Sequence, residues 1–413
     1  MEIKQSHIEH IRKQFTELQS KDDLVNLLSD AKNILWGEES TPVQLKSLTY
    51  YANPALCKKR YRTFTIKKKS GADRIIHAPV KGLKSILRSL NFVFQCMYKP
   101  HEAATGFIPE KSIVDNAKKH VGHHYVLNMD LKDFFHTFDL YRVKYGLLTE
   151  VWGINSIKKF KEHNEERFLE IDKIAFLIAS LCTHPFKIDG EEKTVLPQGS
   201  PTSPTLTNIL CKKLDSRLTG LAKRFGATYT RYADDITFSS PHNIYNDEAF
   251  NQELKRIIEE DQKLVINPKK TRLQKSVYRQ EATGLIVNDK VNVRRRYVKQ
   301  IRMWLYYWEK YGYGKAEEKF KRDYIADKGH VKNINAHLVN VLDGKLEFLK
   351  MGRGKEDDTY KKLKKRLDGL TDRESPITKI LNIWENEGIE AAMATRDITE
   401  DDLSTNGRII VIF

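Results

Sequence analysis

Apolar residues recur with two different periods along this chain, and the two periods separate helices from strands before any chemistry is considered. After Ser20-Lys21-Asp22-Asp23, which reads as a capping-box start, Leu24, Leu27, Leu28, Ala31 and Leu35 fall on one helical face and Gly37 ends the run. Thr41-Pro42 opens the next helix, since proline is tolerated at the first helical position. Short β-branched and aromatic runs follow: Tyr61 to Ile66 and Arg74 to Ala78 around a basic turn, then Tyr125 to Met129 ending in Asp130. Thr228 to Arg231 and Ile236 to Phe238 flank Tyr232-Ala233-Asp234-Asp235, which predicts a β-hairpin with two acids at its tip. The Gly, Pro and hydroxyl density of Leu196-Pro197-Gln198-Gly199-Ser200-Pro201-Thr202-Ser203-Pro204 marks a turn, continued as a helix from Thr205 to Leu210. Further on, Tyr297, Ile301, Trp304 and Trp308 share a helical face expected to be core, leaving the neighbouring basic residues outward. The last stretch, 373–413, has acidic patches and closes on Ile409 to Phe413, which reads as a strand at a sheet edge or a docking tail.

Composition narrows the partners. The chain has 413 residues, 40% of them hydrophobic, enough for a large core and two or three domains. Lys and Arg outnumber Asp and Glu by 71 to 55, a net charge of +16, which favours a polyanionic partner, with nucleic acid fitting better than a membrane surface. The longest apolar run, Ile174 to Cys182, is too short to span a bilayer, and no secretory pattern opens the chain, so a cytoplasmic location is expected. Four scattered cysteines without a CxxC pair argue against structural zinc and for reduced thiols.

Two adjacent aspartates at a hairpin tip repel each other unless a cation neutralises them, and hard divalent ions with oxygen ligands are their natural partners. Nucleotidyl transfer uses two such ions and needs a further carboxylate from elsewhere, which Asp130 can supply. Asp130 is equally placed to be a plain helix N-cap, as is Asp133. A flat glycine-bearing loop beside Gln198 is either a connection or a surface on which a base pair rests.

Taken in order and spacing, Asp130 with Phe134-Phe135, then LPQGSPTSP, then YADD resemble the palm motifs of reverse transcriptases. The basic hairpin around Lys67 to Asp73 resembles the fingertip over an incoming nucleotide, Val265 to Thr271 resembles the fourth palm motif, and Ala282 to Val287 the primer-grip hairpin. Asn116-Ala117-Lys118-Lys119-His120 matches the NAxxH signature of bacterial retron enzymes, and Thr283-Gly284 matches two residues of their VTG signature, with Ala282 in place of Val.

The resemblance implies an α+β right-hand polymerase: an N-terminal helical segment over 1–45, fingers over 46–120, a palm with antiparallel sheet over 121–290, a helical thumb over 291–372 and an extension over 373–413. It implies two Mg²⁺ ions, replaceable by Mn²⁺, held by Asp130 and Asp234 with the Leu131 carbonyl and a closely placed Asp235. Lys68 and Arg74 would clamp the triphosphate, with the choice among Lys67, Lys68 and Lys69 left open, Gln198 would lie beside it, and Phe135 would exclude a 2′-hydroxyl and so favour deoxynucleotides. Lys270 is a candidate proton donor to pyrophosphate. Asn116, His120, Thr283, Gly284, Arg294, Arg295, Lys299 and Arg302 would contact RNA or primer, the alternative for Asn116 and His120 being that they merely brace the palm. A retron enzyme copies a cognate structured RNA into a branched RNA–DNA hybrid and serves bacterial antiphage defence beside an effector protein. The alternatives are a group II intron-like or stand-alone bacterial enzyme, or a catalytically dead RNA-binding scaffold. The scaffold reading is disfavoured because the three acids and Gln198 are all present.

Overall fold

The computed structural model describes residues 3–37, 40–67, 71, 73–188, 190–327 and 336–373, and the chain divides into two compact units, Met1–Lys290 and Val291–Phe413. Lys68 and the whole segment from Glu374, including the acidic patches and the apolar end at Ile409–Phe413, lie outside the described residues.

Among its described residues the first unit carries ten strands: β1 (Tyr61–Lys67), β2 (Asp73–Pro79), β3 (Tyr125–Asp130), β4 (His184–Ile188), β5 (Glu191–Val195), β6 (Thr228–Tyr232), β7 (Asp235–Ser240), β8 (Arg272–Lys275), β9 (Glu281–Ala282) and β10 (Leu285–Ile286). Its central sheet is antiparallel in the order β6-β7-β3-β8. Tyr229 and Phe238 face each other across β6 and β7 and pack on the helix Lys212–Arg224 and on Phe250 of Glu248–Lys255, whose ring lies 5.6 Å from Phe238. The outer edge of β6 is paired at Arg231 by the 103–105 segment, which exchanges backbone bonds with it at 2.8 and 2.9 Å. The helix Lys81–Met97 buries Leu83, Leu87, Leu90 and Phe94 against Leu24, Leu27 and Leu28 of Lys21–Trp36.

Two local expectations are corrected. The helix after Pro42 begins only at Leu45, because Val43 is buried and its amide donates to the Ser29 hydroxyl, pinning the leader in an extended form. Neither Asp130 nor Asp133 caps a helix: Asp133 sits at φ 48° with no capping bond, and Asp139 instead accepts from Arg142 N at 2.8 Å to start the helix Leu140–Gly146.

Among its described residues the second unit is helical: Arg295–Tyr311, Tyr313–Asp327, Leu338–Arg353 and Asp358–Arg373. Val298, Ile301, Trp304, Leu305 and Trp308 form its buried face with Phe320, Leu342 and Leu346, while Tyr297 is half-buried at the margin, 5.2 Å from Phe348. No described helix is long and apolar enough to cross a membrane, and all four cysteines are buried and free.

Candidate active site

Sheet register assembles the three acids. Asp130, last in β3, is paired with Asp235, first in β7, so their side chains share one rung and one face of the sheet. Asp234 is held beside them because its carbonyl accepts from Leu131 N at 3.0 Å. The turn that makes this possible puts Ala233 at φ 58°, a left-handed conformation that a non-glycine residue adopts rarely. Desolvation, then the charge of nearby Asp130, raises the Asp234 pKa against the pull of Lys270 and Arg74. Partial desolvation followed by the charges of Asp234 and Asp130 pushes Asp235 up to about 6, although its side chain keeps access to solvent. Burial and mutual repulsion both disfavour the ionised carboxyls, and a bound cation would relieve both.

The only cation in direct contact with this trio among the described residues is Lys270, whose Nζ lies 2.6 Å from Asp130 Oδ1, while Asn267 donates its side-chain amide to Oδ2 at 3.1 Å and its backbone N–H to Asp130 O at 2.8 Å. That contact was not foreseen from sequence; it places Lys270 on a carboxylate as a counter-charge. A cavity of about 490 Å³ opens here, lined among others by Asp130, Asp235, Lys270, Arg272, Thr283 and Gly284. Thr283 and Gly284 form the two-residue turn between β9 and β10, both at positive φ as a type I′ hairpin requires. Thr283 donates to Ile113 O at 3.1 Å, and Asn128 of β3 donates to Glu281 O at 2.8 Å, fixing the hairpin beside the acids.

Two further elements reach the site. His77 N of β2 donates to Gln198 O at 2.8 Å, and Gly199, at φ 120°, lies so close to β2 that a Cβ would sit 2.8 Å from Ile76 Cγ2. Gln198 is thereby tied to the same hairpin that carries exposed Arg74. Phe135, half-buried, lies 6.5 Å from the Phe107 ring, which lies 6.2 Å from Tyr232.

Asn116 and His120 do not face a ligand, and here the expectation is corrected. Both are fully buried. Asn116 Nδ2 donates to Thr105 and Thr230 hydroxyls at 2.8 and 2.9 Å, and His120 bonds Ser239 through Nδ1 and Thr230 through Nε2, each at 2.7 Å. Thr230 and Ser239 are themselves buried polar groups inside the sheet, and these two side chains supply the partners they require. In this position they brace the sheet.

Burial pushes the His120 pKa down to about 3. The unfolded chain takes up this proton near pH 6.5 and the folded one only near 3, so this residue withdraws stability as pH falls between those values. We therefore expect the melting temperature of the wild type to fall more steeply from pH 7 to 5 than that of His120→Gln, which starts lower. Parallel slopes would show that His120 does not titrate in this way.

In the second unit, Arg295, Lys299, Arg302, Tyr306 and Lys310 line the exposed face of Arg295–Tyr311, opposite the buried tryptophans, with Arg294 exposed at its start. Lys310 Nζ lies 5.6 and 5.2 Å from the Tyr306 and Tyr311 ring centres. Such a stripe of cations and aromatics suits phosphates and stacked bases.

Residues 66–293 match the family described as reverse transcriptase (RNA-dependent DNA polymerase). The chain is 31% identical over 296 residues to the retron Mx65 reverse transcriptase of Myxococcus xanthus, covering 71% of this chain and 61% of that one. It is 37% identical over 239 residues to the retron Mx162 enzyme of the same organism, covering 55% and 47%, and 31% identical over 259 residues to the retron Ec86 reverse transcriptase of Escherichia coli, covering 59% and 68%. The chain thus spans less than two thirds of the two Myxococcus relatives. Because the matched region exceeds half of the chain and contains the three-acid rung, the Gln198 loop, Lys270 and the Thr283-Gly284 hairpin, this protein belongs to the reverse transcriptase family, in its retron type, with the α+β right-hand polymerase fold of that family.

Proposed function

We propose that this protein is an RNA-directed DNA polymerase that extends a hydroxyl primer with deoxynucleotides by two-metal nucleotidyl transfer. The observation that carries this reading is the rung formed by Asp130 and Asp235 with Asp234 beside it, two of the three carboxyls being raised by burial and by their neighbours' negative charge. Among the described residues no three acidic, histidine or cysteine side chains converge into a metal cluster by themselves. Mg²⁺ is held by one or two carboxylates together with substrate phosphates and water rather than by an all-protein cage. Asp130 and Asp234, with the Leu131 carbonyl and Asp235, would hold the ions. When bound, Mg²⁺ (or Mn²⁺) lowers the pKa of the attacking hydroxyl and neutralises the leaving phosphate.

The chain's own residues do the rest. Lys68 and Arg74 clamp the triphosphate, Arg74 by forked contacts, and Gln198 lies along sugar and phosphates on a loop fixed to the same hairpin. Lys270, 2.6 Å from Asp130, would be the proton donor to pyrophosphate. Thr283-Gly284 holds the primer end, and Arg294, Arg295, Lys299 and Arg302 bind duplex phosphates. In this reading residues 1–45 are an N-terminal segment, 46–120 are fingers, 121–290 palm, 291–372 thumb and 373–413 an extension. The template is a cognate structured RNA, primed from an internal 2′-hydroxyl to leave a branched RNA–DNA product, within a bacterial cytoplasmic defence system that includes an effector protein. Two experiments test the reading: primer extension on an RNA template with purified protein, and sequencing of nucleic acid that co-purifies with it. Failure to extend any primed RNA overturns the polymerase; co-purification of only random RNA overturns the cognate partner.

Phe135→Ala should admit ribonucleotides at a frequency at least about tenfold higher, since removing the ring opens space beside C2′; a contact worth about 1.4 kcal/mol suffices for that factor. Single-nucleotide incorporation with paired ribo- and deoxy-substrates measures it, and unchanged discrimination moves the gate elsewhere.

A further inference from the structure

Beneath the hairpin tip lies a buried polar cluster that the proposed chemistry does not use. Arg231 has no exposed surface. Its Nε and Nη2 fork onto Asp215 at 2.8 and 2.7 Å, and Nη2 also meets Asn208 Oδ1 at 3.2 Å. Its remaining arm, Nη1, donates to the carbonyl of Ala233 at 3.1 Å. Asn208 is in turn fixed, donating Nδ2 to Gly106 O at 2.9 Å, and Gly106 packs so tightly on the turn that a Cβ would lie 2.7 Å from Ala233 N.

A buried ion pair is a poor device for stability alone, because apolar side chains of similar volume fill such a space as well or better. What apolar side chains cannot supply is a donor to the one carbonyl whose residue is held at φ 58°, directly before Asp234. We propose that Arg231 is a positioning residue for the catalytic turn. Clamped by Asp215 and Asn208, its guanidinium holds the Ala233 carbonyl, and this fixes the next peptide so that Asp234 O reaches Leu131 N and its carboxyl stands beside Asp130. Gly106 closes the other side of the turn. The inference deepens the metal-dependent polymerase reading and rests on it.

The test uses the full-length protein and compares Arg231→Lys, Asn208→Ala and Phe250→Leu. Lysine keeps the charge but cannot hold both Asp215 and Ala233 in forked geometry. Phe250 is fully buried in the same unit, packs on Phe238 and has no hydrogen bond to offer the turn, and it serves as a control for destabilisation alone. Binding of Mn²⁺ alone is followed by electron paramagnetic resonance, turnover by extension of a primed RNA, and folding by thermal melting. Arg231→Lys should bind Mn²⁺ about tenfold more weakly and lose turnover on the order of a hundredfold, as expected for a misplaced catalytic group, with deoxynucleotide KM nearly unchanged. Asn208→Ala should move in the same direction by less, and decides the matter should the arginine variant not fold. Phe250→Leu should lower the melting temperature and leave both readouts alone. If the Arg231 and Asn208 variants match Phe250→Leu in metal binding and turnover, the positioning role is overturned. A wild type that binds Mn²⁺ but extends nothing overturns the polymerase reading instead, and the Mn²⁺ comparison still decides the role of Arg231.

Discussion

Asp234→Asn should abolish deoxynucleotide addition while leaving the melting temperature at neutral pH equal to or above that of the wild type. The two halves of this expectation come from the same geometry. The carboxyl of Asp234 has a raised pKa because it is desolvated and faces Asp130, so its ionised form works against folding at pH 7. An isosteric amide removes that repulsion without opening a cavity. The same substitution removes a shared metal ligand, and with it charge stabilisation of several kcal/mol in the transition state, which corresponds to a loss of at least about a thousandfold. Stability retained or gained with activity gone is the pattern of a site strained for function. Extension within tenfold of the wild type would remove Asp234 from the metal site, and a lower melting temperature would mean that its charge is compensated in the fold.

How far the sequence disclosed this site depended on how local each feature is. The Tyr232–Asp235 hairpin was legible because apolar strands flank it and because side-by-side acids have few structural uses. The Gln198 loop was legible from its glycine and prolines, though only the structure shows that Gly199 is required by the close approach of β2. The outward stripe Arg295, Lys299, Arg302 was legible because a helical period fixes faces. Whether Asn116 and His120 face a ligand or brace the sheet was not legible, because both occur in a polar, lysine-bearing segment, and burial there is decided by Thr230 and Ser239, which lie more than a hundred residues away. Arg231 was overlooked for a related reason. An arginine between two tyrosine-bearing positions of a strand signals something unusual, but its partner Asp215 comes from the helix Lys212–Arg224, and no periodicity connects a helix to the strand it covers. Asp139, rather than the more conspicuous Asp130 or Asp133, became a helix cap because pairing with β7 carries the chain past Asp130 as strand.

Asp215→Ala should cost the fold about 3–5 kcal/mol, the range found when one partner of a buried ion pair is deleted. Asp215 and Arg231 are both fully buried, so solvent cannot replace the lost charge. Desolvation opposes the charged guanidinium, yet Asp215 outweighs it and holds the Arg231 pKa well above its ordinary value; alanine leaves that cation with only neutral acceptors. Tyr229 loses the acceptor of its hydroxyl as well, a bond of 2.8 Å. The apparent melting temperature should fall by roughly 10 °C, taking about 2–4 °C per kcal/mol for a unit of this size. The paired change Asp215→Leu with Arg231→Met should recover most of this, because it removes both charges and fills the space, while synthesis stays impaired through the freed Ala233 carbonyl. A single Asp215→Ala variant that melts like the wild type would mean the ion pair does not hold the palm. Recovery of stability without recovery of synthesis would separate what the pair does for the fold from what Arg231 does for the turn.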